Sequence, residues 1–141
     1  MADLLTPQQM AQIHAAAFTQ SRPWSQAEFT ALLDSPLVLA CGDARAFALV
    51  RLVADEAELL TLATHPAHQR QGLGRAVMQA WQSQAKLRGA TESFLEVAAD
   101  NAPALSLYES EGFAVCGRRR GYYPRRNGTT NDAIVMQRGL R

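Results

Sequence analysis

Residues Leu59 to Arg75 read LLTLATHPAHQRQGLGR, and the fold is decided there. The stretch from Glu58 to Thr64 is mostly apolar and of strand length, and Pro66 ends it. Such a run is buried on both faces, so this strand belongs inside a sheet. Gln69-Arg70-Gln71-Gly72-Leu73-Gly74 then leads into the most regular helical pattern of the chain, Gly74 to Arg88. Val77, Met78, Trp81, Ala85 and Leu87 are its apolar positions, and Gly89 is its stop. Glycines at 72 and 74 let the backbone approach a ligand and expose its N–H groups. The helix N-terminus behind them adds free N–H groups and a partial positive charge. Together these suit a pyrophosphate, and Arg70 and Arg75 flank the place with charge-assisted donors. Walker spacing is excluded, because its lysine and Ser/Thr are missing. A dinucleotide fingerprint is excluded as well, because position 77 is Val. GxG alone reads as an ordinary glycine-rich turn; Arg70, the preceding strand and the long helix favour the phosphate site.

Outward from this stretch the chain reads as a mixed sheet with helices on both faces. Upstream, Thr6-Pro7 opens a helix with Met10, Ile13, His14 and Phe18 on one side. Ser25-Gln26-Ala27-Glu28 fits a capping box for a second helix, with Trp24 placed to staple it and Phe29, Leu32 and Leu33 as its stripe. Leu37 to Cys41 and Ala46 to Val53 read as a hairpin around a turn at Gly42-Asp43. Downstream, Phe94 to Ala98 is a strand and Pro103 to Glu109 a short helix ended by Gly112. Phe113 to Arg119 and Ala133 to Gln137 are antiparallel neighbours. A helix joins the third strand to the fourth, which permits one central parallel pair in a mostly antiparallel α+β sheet.

With 141 residues, residues 1–141 are expected to form one domain. Apolar residues at 48% and charged residues at 19% exclude a disordered or collagen-like chain. Cys41 and Cys116 lie far apart with no metal spacing, so both read as reduced thiols. No apolar run reaches membrane-spanning length, and MADLLTPQQM lacks the pattern of a signal peptide, so a cytoplasmic protein is expected. His14, His65 and His68 do not make a metal site; solvent-exposed or capping roles are expected, and no metal. The formal charge of +1 is uneven, since Arg118 onward carries seven arginines against Asp132 alone. That basic end suggests an anionic partner or a solvated edge.

Gln69-Arg70-Gln71-Gly72-Leu73-Gly74 resembles the R/Q-x-x-G-x-G/A acyl-CoA motif of the GNAT-superfamily acetyltransferases. The resemblance continues through Phe94-Leu95-Glu96-Val97, Asn101-Ala102-Pro103-Ala104 and Leu107-Tyr108-Glu109-Ser110-Glu111-Gly112-Phe113. It also takes in Pro23-Trp24-Ser25, Arg119-Arg120-Gly121-Tyr122-Tyr123-Pro124 and Asp132-Ala133-Ile134-Val135-Met136, a combination similar to the RimI-type ribosomal-protein-alanine N-acetyltransferases. It implies a single GNAT-type domain that moves an acetyl group from acetyl-CoA, its cosubstrate, to the α-amino group of a protein N-terminus. It places the pantetheine on the backbone of Leu62, Ala63 and Thr64, and the pyrophosphate on Arg70, Gln71, Gly72, Leu73, Gly74 and Arg75. It makes Asn101 a cofactor contact, Glu96 the general base and Tyr108 the general acid toward the CoA thiolate. Two departures stand out: Gly121 occupies a position where Asn is common, and Thr64 replaces the usual aliphatic residue.

The residues themselves support this chemistry. An amine must lose a proton before it attacks a thioester, and a placed carboxylate can take it. Glu96 lies in a strand expected to be largely buried, which would raise its pKa; the alternative is an exposed strand end. Tyr108 can donate a proton to a departing thiolate, or be a core tyrosine above Leu105. No cysteine or serine has the partner that covalent catalysis needs, so direct attack in a ternary complex is simpler. Trp24 either staples its helix or lines the substrate entrance. Tyr122 and Tyr123, between Arg118-Arg119-Arg120 and Arg125-Arg126, read first as a wall of the acceptor groove, next as a solvated hairpin turning at Asn127-Gly128, and last as a nucleic-acid patch with incidental rRNA contact. The partners implied are the N-terminal peptide of a ribosomal protein and CoA, with no membrane, for a monomer or weak dimer. A small-amine acetyltransferase, and a non-catalytic acyl-CoA-binding or ribosome-associated module, are the rival readings.

Overall fold

The computed structural model describes residues 5–18, 22–124 and 127–140. Helix α1 (Pro7–Ala17) begins at a capping box in which Thr6 and Gln9 satisfy each other's backbone N–H groups. Helix α2 (Gln26–Leu33) begins the same way at Ser25 and Glu28. Strands β1 (Val38–Asp43), β2 (Ala46–Val53) and β3 (Glu56–Thr64) follow as antiparallel neighbours. A short 3-10 turn at Pro66–His68 precedes helix α3 (Leu73–Leu87). Strand β4 (Glu92–Ala98), helix α4 (Ala102–Ser110), and strands β5 (Ala114–Pro124) and β6 (Thr130–Gly139) complete the order. The six strands lie in the order β1-β2-β3-β4-β6-β5, and β3 with β4 is the parallel pair.

Two cores hold the sheet, one on each face. Val77, Met78, Trp81 and Ala85 of α3 and Tyr108 of α4 pack with Leu59, Leu95, Val97 and Met136. Met10 and Ile13 of α1 and Phe29 of α2 pack on the other face with Phe47, Leu49 and Ala63. Burying a side chain of this size contributes roughly 1.5–3 kcal/mol. Leu87 is not part of the α3 stripe; it is 87% exposed, because a residue two positions past Ala85 points to the far side of the helix. Helix α3 stops in a Schellman turn: Gly89, at φ +95, donates to Lys86 O, and Ala90 donates to Ala85 O.

The first hairpin turns later than its glycine suggests. Ala44 and Arg45 form the turn, with Asp43 Oδ1 accepting the Arg45 N–H at 2.8 Å. Gly42 sits inside β1 at φ +113, where a Cβ would run into the Ala46 carbonyl oxygen and lie 2.7 Å from Phe47 Cα. The glycine marks a close backbone approach, not the turn itself.

The decisive feature is an interruption in β3. Leu49 pairs with Thr61 and Val50 with Leu59, so Leu60 has no partner in β2. This is a β-bulge, and it bends the strand and reverses its facing. Ala57 and Leu59 join the α3 side, yet beyond the bulge Leu62 joins that side and Ala63 the other. Pairing between β3 and β4 stops at the same level, with Leu59 opposite Leu95. Past it, β3 remains on β2 and β4 remains on β6, while the two central strands part.

Candidate active site

A cleft therefore opens between Leu60–Thr64 of β3 and Glu96–Ala98 of β4. Along β3 the backbone that faces β4 is left without a ladder partner, and Leu62, Ala63 and Thr64 lie in this segment. Buried backbone groups must find a partner, so an extended ligand with amide groups fits here. Thr64 reaches toward the helix side, its Oγ1 lying 3.9 Å from where a Cβ on Gly74 would be.

The loop after β3 delivers an open helix end to this cleft. Gly72 is the N-cap of α3, at φ +76, and makes no side-chain capping bond. Helices α1, α2 and α4 are each capped by a side chain, of Thr6, Ser25 and Asn101. The first helical bond of α3 runs from Ala76 N–H to Gly72 O, which leaves the N–H groups of Leu73, Gly74 and Arg75 without a helical acceptor. Arg70 also adopts a left-handed conformation, at φ +64, and Arg70, Gln71 and Gly72 are exposed. Strain of this kind in a non-glycine residue costs about 1–2 kcal/mol and accompanies ligand loops. The two glycines differ in purpose. A Cβ at Gly72 would meet open space, so conformation alone selects glycine there, whereas at Gly74 it would lie 3.3 Å from Leu107 Cδ2, a close contact with the flexible end of an α4 side chain. Arg75 flanks the loop but donates to Ser110 Oγ at 3.1 Å, bracing the start of α3 to the end of α4. An uncapped, positively polarised helix end beside a bare strand edge fits a pyrophosphate joined to an amide-bearing chain.

Glu96 is the first residue of β4 past the last pairing with β3. Leu95 and Val97 point into the α3 core, so Glu96 faces the opposite side of the sheet. The strand buries it less than its sequence setting suggests. Its side chain is 26% exposed and ion-paired to Arg119, with Nε 3.1 Å from Oε1. Tyr108 is buried on the α3 side, edge-on to Phe113 with ring centroids 6.4 Å apart. Burial pushes the Tyr108 phenol well above its ordinary range, and Tyr123 pushes it the same way. Tyr108 is therefore a protonated phenol at neutral pH. Asn101 caps α4, its Oδ1 accepting the Ala104 N–H at 3.2 Å.

The β5–β6 end of the sheet is built differently from its sequence outline. Tyr122 and Tyr123 belong to β5, which extends to Pro124, and their rings meet edge to face at 5.1 Å. Between Arg119 and Tyr123 the register with β6 slips, so Asp132 alone stands against Arg120, Gly121 and Tyr122. Asp132 anchors this bulge, accepting from Gly121 N at 2.8 Å and Arg118 Nε at 2.7 Å. These bonds hold the Asp132 carboxyl below its usual range. Gly121 has φ +60, a conformation that Gly and Asn both tolerate, which explains a glycine where Asn is common. Gly128 turns at φ +85 as the Asn127-Gly128 signal suggests, while Arg125 and Arg126 lie outside the described residues. Trp24 sits where a staple requires, its ring 5.6 Å from Phe29 and 5.1 Å from His14. His14 is neither exposed nor a cap. It is 3% exposed, stacks on Phe18 at 4.2 Å, and accepts the Trp24 N–H at Nδ1. Burial pushes its pKa down to about 4. His65 does cap, its Nδ1 accepting the Ala67 N–H at 3.1 Å. Among the described residues no group of three or more His, Cys, Asp or Glu could hold a metal, and no helix is long and apolar enough to cross a membrane.

The chain as a whole is similar to known proteins. The family model for the acetyltransferase (GNAT) family matches residues 4–113, and the chain belongs to that family. Within the family it is 46% identical over 95 residues to the [ribosomal protein bS18]-alanine N-acetyltransferase of Escherichia coli (strain K12), a match covering 67% of this chain and 64% of that protein. The match thus spans a little under two thirds of that relative's length. It is 36% identical over 143 residues to the N-alpha-acetyltransferase RimI of Mycobacterium tuberculosis, covering 93% of this chain and 85% of the relative. The crystal structure of the Escherichia coli ribosomal-protein-alanine N-acetyltransferase superposes with a TM-score of 0.86 at 37% identity, over 95% of this chain and 87% of that one. Arabidopsis thaliana NAA60 in complex with acetyl-CoA shares the fold at a TM-score of 0.82 and 16% identity, over 98% of this chain and 95% of that one.

Proposed function

We propose that this chain transfers the acetyl group of acetyl-CoA to the α-amino group of a protein N-terminus, the N-terminal alanine of a small-subunit ribosomal protein. The observation that carries the reading is the parting of β3 and β4 above Leu59 and Leu95, with the uncapped end of α3 at its base and Glu96 at its mouth. The names of the relatives supply the acceptor class. Acetyl-CoA brings the acetyl group activated as a thioester. The backbone of Leu62, Ala63 and Thr64 holds the pantetheine, the N–H groups from Gly72 to Arg75 hold the pyrophosphate with Arg70 and Gln71 beside them, and Asn101 adds a contact. Glu96 takes the proton of the incoming amine, directly or through water. Tyr108, kept protonated by its burial, returns a proton to the leaving thiolate. Trp24, Tyr122 and Tyr123 border the acceptor. Holding both partners in one cleft supplies most of the rate.

The test is thiol release from acetyl-CoA with mass spectrometry of the products, using an alanine-starting ribosomal N-terminal peptide beside unrelated peptides and small amines. Acetyl on the α-amine of the ribosomal peptide is the expected result. Acetylation of small amines alone overturns the acceptor class. No product with any amine, despite tight CoA binding, overturns the transferase reading.

A further inference from the structure

Arg119 joins the candidate base to the aromatic wall. Its Nε lies 3.1 Å from Glu96 Oε1, and its Cζ lies 5.2 Å from the centroid of the Tyr122 ring. Neither contact follows from proximity in sequence. Glu96 is opposite Val135 on β6, and Arg119 is opposite Ala133, so the ion pair spans three strands on one face of the sheet. In a regular strand, residues 119 and 122 point to opposite faces. Here the bulge anchored on Asp132 turns the chain at Gly121 and brings Tyr122 back over the guanidinium. The tyrosine face attracts the cation, and Tyr122 in turn rests edge to face on Tyr123. Glu96, Arg119, Tyr122 and Tyr123 thus form one connected chain of contacts on the acceptor side of the cleft.

We propose that Arg119 is a positioning residue for acetyl transfer, setting the carboxylate of Glu96 and the ring of Tyr122 in place as one unit. The inference rests on the reading of Glu96 as the base. An exposed ion pair of this kind contributes little to stability, so a purely structural role predicts almost no effect on turnover. A positioning role predicts a large one, because small misplacements of a base are costly. The bulge serves this purpose: it spends ladder hydrogen bonds of β5 to bring one aromatic ring onto one cation.

The test compares Arg119→Gln, Arg119→Lys, Glu96→Gln and the double variant Arg119→Gln/Glu96→Gln. Arg119→Gln should lower kcat/KM for the acceptor peptide about tenfold and leave the dissociation constant of acetyl-CoA within about twofold. Arg119→Lys, which keeps the cation, should recover most of the loss. In the Glu96→Gln background, Arg119→Gln should cost less than about twofold, because the carboxylate is gone and the Tyr122 ring serves the reaction only together with it. Losses that multiply in the double variant overturn the proposal, as does Arg119→Gln turning over like the wild type. An independent readout is the Arg119 Nε–H resonance in the ligand-free protein. It should move on Glu96→Gln, and an unmoved resonance overturns the tie. If the wild type acetylates no amine, the transferase reading falls, and this resonance still decides whether Arg119 holds Glu96.

Discussion

The N-termini of α2 and α3 are opposite solutions to one problem. Each begins with N–H groups that have no helical acceptor. At α2 the chain closes the end with its own side chains. Ser25 Oγ accepts the Glu28 N–H at 3.2 Å, Glu28 returns a bond to Ser25 N at 3.1 Å, and Arg22 locks Glu28 from outside at 2.7 Å. Arg22 thereby holds the Glu28 carboxyl down at about 2. Trp24 covers the end by packing on Phe29 and His14. At α3, Gly72 offers no side chain, and the end stays open beside a bare strand edge. One end is finished by the chain for stability; the other is left to be finished by a ligand.

Gly72→Glu should break this contrast hardest. A carboxylate at the open end repels a phosphate, and a residue with a Cβ must hold its backbone at φ +76. CoA affinity should fall about 100-fold or more in calorimetric titration. Unfolding stability should drop by only about 1–2 kcal/mol, the cost of a left-handed conformation. Retained affinity would refute the loop as the phosphate site.

The closed end has its own pH limit. His14 is neutral in the fold with a pKa of about 4, and it titrates near 6.5 once unfolded. Its folded pKa is depressed, so its contribution is complete above 6.5 and is lost as pH falls toward 4. Denaturant melts between pH 7 and 4.5 should show a loss of about 2 kcal/mol from this group, and His14→Gln should flatten that part of the curve. An unchanged slope in the variant would remove His14 as the cause.

Ser25→Ala should cost about 1 kcal/mol of unfolding stability through the lost cap, with CoA affinity unchanged in titration. A large loss of affinity would show that the two helix ends are coupled. Gly74→Ala should do least. The added Cβ would lie 3.3 Å from the flexible end of Leu107 and 3.9 Å from Thr64 Oγ1, so stability should change by less than about 1 kcal/mol and affinity by less than about twofold.

Features that depend on local chemistry were legible in the sequence. The Thr6 cap, the Ser25–Glu28 capping box, the α3 pattern, the last antiparallel pair and the glycine loop were readable because a cap, a stripe or a turn is written within a few neighbouring residues. Features that depend on register were not. Nothing about Leu60 among LLTLAT distinguishes it as the residue without a partner, because a bulge is settled between strands. The same holds for Arg119. It stands in a run of three arginines, and only the offset between β5 and β6 selects it to meet Glu96. His14 was misplaced because an imidazole in an apolar stripe gives no local sign that Phe18 and Trp24 will enclose it. Leu87 was misplaced because composition counted it where helical phase does not.

The unpaired residue at Leu60 makes the cleft a matter of counting. The pleat repeats every two residues, so one surplus residue is a half-period phase slip that everything downstream inherits. Deleting one residue from β3 would restore regular alternation, leave Ala63 facing its own core and let the strand continue its pairing with β4. The chain would keep its sheet and its helices and lose the place where they were meant to open.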